Sequence, residues 1–152
     1  MAETKIKPSR TELVAHIRET YLFKDLDEDV LKDLSKDLSW ISLEPGENLF
    51  YQGDQSDSMY LVIDGLLNVA INIDDSEVFV GEDNPGQLVG EMGVFTDQSR
   101  TADIYADNNG AAAGLVKIPG AGFNRIAATN PDGLAKVGET IRQRLFRNQL
   151  AE

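Results

Sequence analysis

One stretch of the sequence collects residue types suited to holding an anion: Gly86-Gln-Leu-Val-Gly90-Glu91-Met92-Gly93-Val94-Phe95, then Thr96-Asp97-Gln98-Ser99, then Arg100-Thr101-Ala102-Asp103-Ile104. Glycines at 90 and 93 permit close backbone approach. Met92, Val94 and Phe95 suit a single apolar helical turn, and the amino end of such a turn points free N–H groups outward. Arg100 precedes a strand pattern in which Ala102 and Ile104 share its side, so alternation aims the guanidinium inward. A buried guanidinium requires an anion. Two kinds of anion meet that need: an external one seated in the cradle, or Glu91 or Asp97 in an internal ion pair that only closes a loop. The residues alone leave both open. Asp103 alternates to the other side of the strand, outward; facing inward, it would neutralise Arg100.

Other chemistries find little material. The single histidine, His16, and the absence of cysteine argue against a zinc or iron centre, so no metal is expected, and disulfides are impossible. His16 is expected to serve packing or to lie at the surface. Asp25, Asp27, Glu28 and Asp29 lack calcium-loop spacing and fall where a helix start favours acids. No Ser-His-Asp set or paired-carboxylate cleft can be assembled, so no catalytic residue is expected and the chain reads as a non-enzyme. The net charge of −12 repels nucleic acid and anionic membrane surfaces. Apolar runs stop well short of the roughly 20 residues of a membrane-spanning helix. The amino terminus shows no secretory pattern, which makes the cytoplasm the expected location.

The elements that must position the cradle follow from periodicity. At 152 residues the chain suits one compact domain. Ser9 and Glu12 read as a capping box, with Leu13, Ile17 and Tyr21 on one face of a helix predicted from about Arg10 to Thr20. A second helix opens at Asp27-Glu28-Asp29 and buries Val30, Leu31, Leu34 and Leu38. After Trp40 the period becomes that of strands: Ile41 and Leu43; Leu49 to Tyr51; Met59, Leu61 and Ile63; Leu67, Val69, Ile71 and Ile73, with Asn68 and Asn72 opposite; Val78 and Val80; then 102–106 and 113–118. Gly46, Gly53 and Gly65 read as turn glycines, and Asp64-Gly65 as a hairpin corner. At least seven short strands imply a closed or nearly closed barrel. A helical period returns at Phe123, Ile126 and Ala127, breaks at Asn130-Pro131, and resumes in a longer helix with Leu134, Val137, Ile141 and Leu145 in line.

In this frame the sequence resembles the cyclic-nucleotide-binding domains of catabolite activator proteins, protein kinase regulatory subunits and cyclic-nucleotide-gated channels. The resemblance is carried by Gly90-Glu91-Met92-Gly93 with Arg100-Thr101-Ala102. A second stretch, Leu43-Glu-Pro45-Gly46-Glu-Asn-Leu-Phe50-Tyr-Gln52-Gly53-Asp54, is followed by Met59 to Gly65. It covers about residues 22 to 150 and implies a mainly β fold with flanking helices: a double-stranded β-helix, jelly-roll-like, between N-terminal helices and two C-terminal helices. Residues 1–21 are then an N-terminal helical extension and 22–150 the binding domain. The implied ligand site comprises Val89, Gly90, Glu91, Met92, Gly93, Arg100, Thr101 and Ala102. Glu91 accepts from the ribose 2′-hydroxyl, Arg100 binds the exocyclic phosphate oxygens, and backbone at Met92, Gly93 and Thr101 completes the phosphate contacts. The ligand is cAMP or cGMP, with cAMP favoured slightly, and no other cofactor is implied.

The resemblance further implies that the last helix closes over the base, through Arg142, Leu145 or Phe146; the output is expected to be motion passed to a separate effector protein. Pairing of that helix with its twin in a homodimer is one arrangement. Family members usually carry a small hydroxyl residue where this chain has Asp103. That departure supports a second expectation, a ligand-free barrel acting as an interaction or dimerisation module.

Overall fold

A computed structural model of the chain describes residues 9–19, 28–90 and 99–121, with positions 135, 139, 142 and 143 further on. Helix α1 (Arg10–Arg18) starts where Ser9 Oγ accepts the Glu12 N–H at 3.2 Å. That is half of the expected capping box; the return bond, from the Ser9 N–H to the Glu12 carboxylate, is not among those of the described residues. The helix stops at Arg18, short of the expected Thr20, because the Glu19 N–H turns back onto the carbonyls of His16 and Ile17. Helix α2 (Glu28–Ser35) carries Glu28 and Asp29 in its first turn, where the helix dipole favours acids. Leu13 and Ile17 of α1 and Leu31 and Leu34 of α2 are buried, as their spacing requires. Tyr21 and the side chain of Val30 lie outside the described residues.

Eight strands follow: β1 (Ser39–Leu43), β2 (Asn48–Phe50), β3 (Ser58–Asp64), β4 (Leu67–Ile73), β5 (Ser76–Asp83), β6 (Leu88–Val89), β7 (Asp103–Ala106) and β8 (Ala113–Pro119). They form two four-stranded antiparallel sheets, ordered β1-β8-β3-β6 and β2-β7-β4-β5. The chain therefore crosses repeatedly between sheets, and the architecture is the mainly β, jelly-roll-like one expected. The first sheet is covered twice. Met59 and Leu61 of β3, with Leu88, Val116 and Ile118, pack under α1 and α2, while Tyr60 and Val62 turn into the barrel. Strand β3 thus reads as an unbroken apolar run because each face has a different cover.

The barrel interior is filled by Leu67, Val69 and Ile71 of β4, Ala102, Ile104 and Ala106, and Ile41, Leu43 and Leu115 from the facing sheet. Asp64-Gly65 is not a hairpin corner. β3 pairs with β6 and β8, and β4 with β5 and β7, so these two residues carry the chain from one sheet to the other. The tight hairpin lies one strand later, at Asp74-Asp75, whose φ values of 52° and 65° give the doubly left-handed turn that matches strand twist. Gly46, Gly53 and Gly65 all have positive φ, in keeping with turn positions. The short helix expected near Phe123 lies outside the described residues; positions 135, 139, 142 and 143 of the longer one are helical and exposed. Among the described residues no helix is long and apolar enough to cross a membrane.

Candidate functional site

Arg100 enters the site from a segment anchored by its own backbone. Its N–H donates to Asp54 O and its carbonyl accepts from Gly53 N–H, each at 2.8 Å, tying it to the loop between β2 and β3. The side chain then turns inward and is only 6% exposed. Nη1 donates to Gly90 O and Nη2 to Ser58 O, both at 2.8 Å, so one guanidinium joins the end of β6 to the start of β3. Its carbon lies 4.1 Å above the centre of the Phe50 ring and 5.9 Å from that of Tyr60. The two rings tilt at 43° with centroids 6.3 Å apart and form an aromatic floor under the cation.

Gly90 is required for this approach. Its φ is +75°, and a Cβ there would lie 2.6 Å from Arg100 Nη1 and 3.3 Å from the Phe50 ring. Val89 is fully buried in the barrel interior, and Ala102 packs there beside Ile104. Thr101, next to Arg100 in the chain, is half-buried. Of the expected site residues the structure thus gathers Val89, Gly90, Arg100, Thr101 and Ala102. Glu91, Met92 and Gly93 lie outside the described residues, as does Asp97. Of the possible base caps, Arg142 is exposed and pairs with Glu139 at 2.9 Å, while Leu145 and Phe146 are outside the described residues.

Asp103 lies on the face of β7 opposite Arg100, as alternation requires, yet it is only 8% exposed. Its Oδ1 accepts the Gln52 N–H at 2.6 Å and its Oδ2 the Asn72 side-chain amide at 3.2 Å. It does not neutralise Arg100. The strand pattern did not single out Phe50, Tyr60 or the Ser58 carbonyl. The available signal was that both rings occupy inward positions on strands flanking the arginine segment. Burial raises the Tyr60 phenol pKa above its ordinary value, an effect that the neighbouring Arg100 charge opposes. Ser56 Oγ, two residues before Ser58, is buried without a hydrogen-bond partner.

The structure thus holds a buried cation on aromatic rings at the barrel wall, bonded to the backbone of Gly90. Residues 40–130 match the family described as Cyclic nucleotide-binding domain. The regulatory domain of Toxoplasma gondii PKA, solved with cAMP, superposes with a TM-score of 0.68 at 27% identity, over 77% of this chain and 44% of that one. The regulatory subunit of a cAMP-independent protein kinase A from Trypanosoma brucei gives a TM-score of 0.76 at 21% identity, over 93% of this chain and 51% of that one, a likeness of fold alone. The lysophospholipase nte1 of Aspergillus oryzae is 34% identical over 109 residues, which are 71% of this chain and 7% of that protein. The chain therefore spans only a small part of the curated relatives it matches. With the matched family covering more than half of its length, around the buried arginine and its glycine, the chain belongs to the cyclic nucleotide-binding domain family.

Proposed function

We propose that the chain is a cyclic-nucleotide sensor that takes cAMP in preference to cGMP and passes its state to a separate effector protein. The observation that carries this reading is the buried Arg100 guanidinium, set beside Gly90 and aimed into the barrel. A monoanionic phosphate accepts two parallel bonds from such a fork. Glu91 supplies the acceptor for the ribose hydroxyl, and backbone N–H groups at Met92, Gly93 and Thr101 complete the phosphate contacts. That Asp103 is held by Gln52 and Asn72 supports the reading, since its carboxylate is engaged on the far side of the strand and not against Arg100. The role is binding rather than catalysis: ligand capture biases the position of the C-terminal helix, and coupling of about 1–3 kcal/mol suffices for such a switch. The match to a lysophospholipase covers 7% of that protein and brings none of its activity here.

Titration calorimetry with cAMP and cGMP tests this directly. Saturable heat with cAMP, lost in Arg100→Ala, is the expected outcome; unchanged binding in that variant would overturn the site. A second reading is favoured by one specific observation: both Nη atoms of Arg100 already donate to backbone carbonyls. In that reading the barrel holds no nucleotide and serves as an interaction module, with a homodimer as one form. It requires no heat with either nucleotide, together with self-association on a sizing column.

A further inference from the structure

The two sheets differ in cover and in charge. Helices α1 and α2 pack on the outer face of the first sheet. On the outward face of the second, Asn72, Glu77, Phe79 and Glu82 are exposed, while Ala70 and Asp103 are buried. Between residues 39 and 119 the sequence has 14 acidic residues and 2 basic ones, Arg100 and Lys117. Arg100 is buried and Lys117 belongs to the first sheet, so no strand of the second sheet contains a cation. On that anionic face lies a recess of about 260 Å³ lined by Asn48, Tyr51, Glu77, Asp103, Tyr105 and Asn108.

Three observations give the recess a preferred occupant. Asp103 is a buried carboxylate whose two partners, the Gln52 N–H and the Asn72 amide, are both neutral. A buried carboxylate without a counter-charge is costly, and with about four lone-pair sites it has acceptor capacity left for a cation. Tyr51 is 57% exposed, one of two large hydrophobic side chains so exposed among the described residues, the other being Phe79 at 56%. Tyr105 also lines the recess, and its hydroxyl is 3.4 Å from Glu77 Oε1. Two phenol rings and two carboxylates around one small hollow suit a planar cation, which stacks on the rings while its N–H fork meets the carboxylates.

We propose that this recess is a docking pocket for an arginine side chain on a basic segment of a partner protein. The hollow is smaller than the roughly 300–1,000 Å³ of a typical small-molecule site and matches one long side chain. The charge of the whole face draws in the basic residues that flank the arginine. This inference is independent of nucleotide binding, because the recess opens on the side of β7 away from Arg100.

A short fluorescein-labelled peptide of alternating arginine and serine, titrated against the full chain and followed by anisotropy, provides the test. Binding is expected, with Glu77→Gln and Tyr51→Ala each weakening it about threefold to fivefold, the range of a surface ion pair or an exposed cation–π contact. Both positions are exposed, so folding is checked simply by unchanged thermal melting. The lysine–serine peptide is expected to bind more weakly, since an ammonium lacks the planar fork. Asp64→Asn, on the first sheet, is expected to leave the affinity unchanged, and cyclic-nucleotide binding should be the same in all three variants. An equal loss in Asp64→Asn would show diffuse attraction and overturn the pocket, as would no binding by the unmodified chain. Self-association abolished by Glu77→Gln would assign the recess to a second copy and overturn the partner.

Discussion

Two carbonyls and two aromatic rings fix the Arg100 guanidinium in place, which makes its replacement by lysine a severe change. A single ammonium cannot span from Gly90 O to Ser58 O, nor present a fork to a phosphate. Arg100→Lys should therefore weaken cAMP binding by about 30-fold or more, equivalent to about 2 kcal/mol, measured by calorimetry. Phe50→Leu stays apolar but is smaller and removes the ring 4.1 Å below the cation, so a loss of about fivefold in affinity is expected, together with a melting temperature lowered by a few degrees. Tyr60 acts through pH. Its phenol pKa is raised by burial above the ordinary value of 10.0, so the unfolded chain gives up the proton before the folded one does. The stabilisation is fully present below that value and is lost as pH rises beyond it. Urea midpoints should accordingly fall from about pH 10 upward, and Tyr60→Phe should flatten the decline. A decline just as steep in Tyr60→Phe would place its origin elsewhere.

At the level of elements, the hairpin between β4 and β5 turns on two aspartates with left-handed backbones and like charges side by side. Replacing them together, Asp74→Asn with Asp75→Gly, gives the residue pair this turn favours and should raise unfolding free energy by about 1 kcal/mol, read from urea denaturation. The same hairpin shows where the sequence was legible and where it was not. Period-two alternation marked Leu67, Val69 and Ile71 as inward residues, and they are, because one face of β4 is buried. Alternation did not reveal which strands pair. Asp64-Gly65 has the composition of a hairpin turn, but β1 pairs with β8, from Ser39 opposite Lys117, and β3 sits on the other side of β8. Those contacts join residues far apart in the chain and leave no local trace. Within the site, Arg100 was legible because an inward charge stands out against Ala102 and Ile104. Phe50 and Tyr60 were not, because an inward aromatic also satisfies an ordinary core. Asp103 was placed on the correct face by alternation, while its burial depended on Gln52 and Asn72, which are distant in sequence.

For the whole molecule, the net charge of −12 sits on a barrel for which we propose a binding site for an anion, and the charge and the proposed site pull in opposite directions at different distances. An approaching nucleotide monoanion meets repulsion out to about the Debye length, roughly 30 Å at 0.01 M salt and 8 Å at 0.15 M. Once seated, it is held by a guanidinium that is nearly excluded from solvent, where added salt screens little. Association should therefore quicken with salt while dissociation barely changes. With a fluorescent cAMP analogue in stopped flow, the association rate is expected to rise about twofold to fivefold between 0.01 M and 0.3 M monovalent salt. A rate that falls instead would mean that the positive potential of Arg100 reaches beyond the mouth of the barrel and dominates the encounter. Binding of the arginine peptide to the outer recess of the second sheet has the opposite sign, since there the same surface charge attracts and salt weakens it. Measured side by side on one preparation, the two salt dependences separate an anion site buried in the barrel from a cation site on its skin.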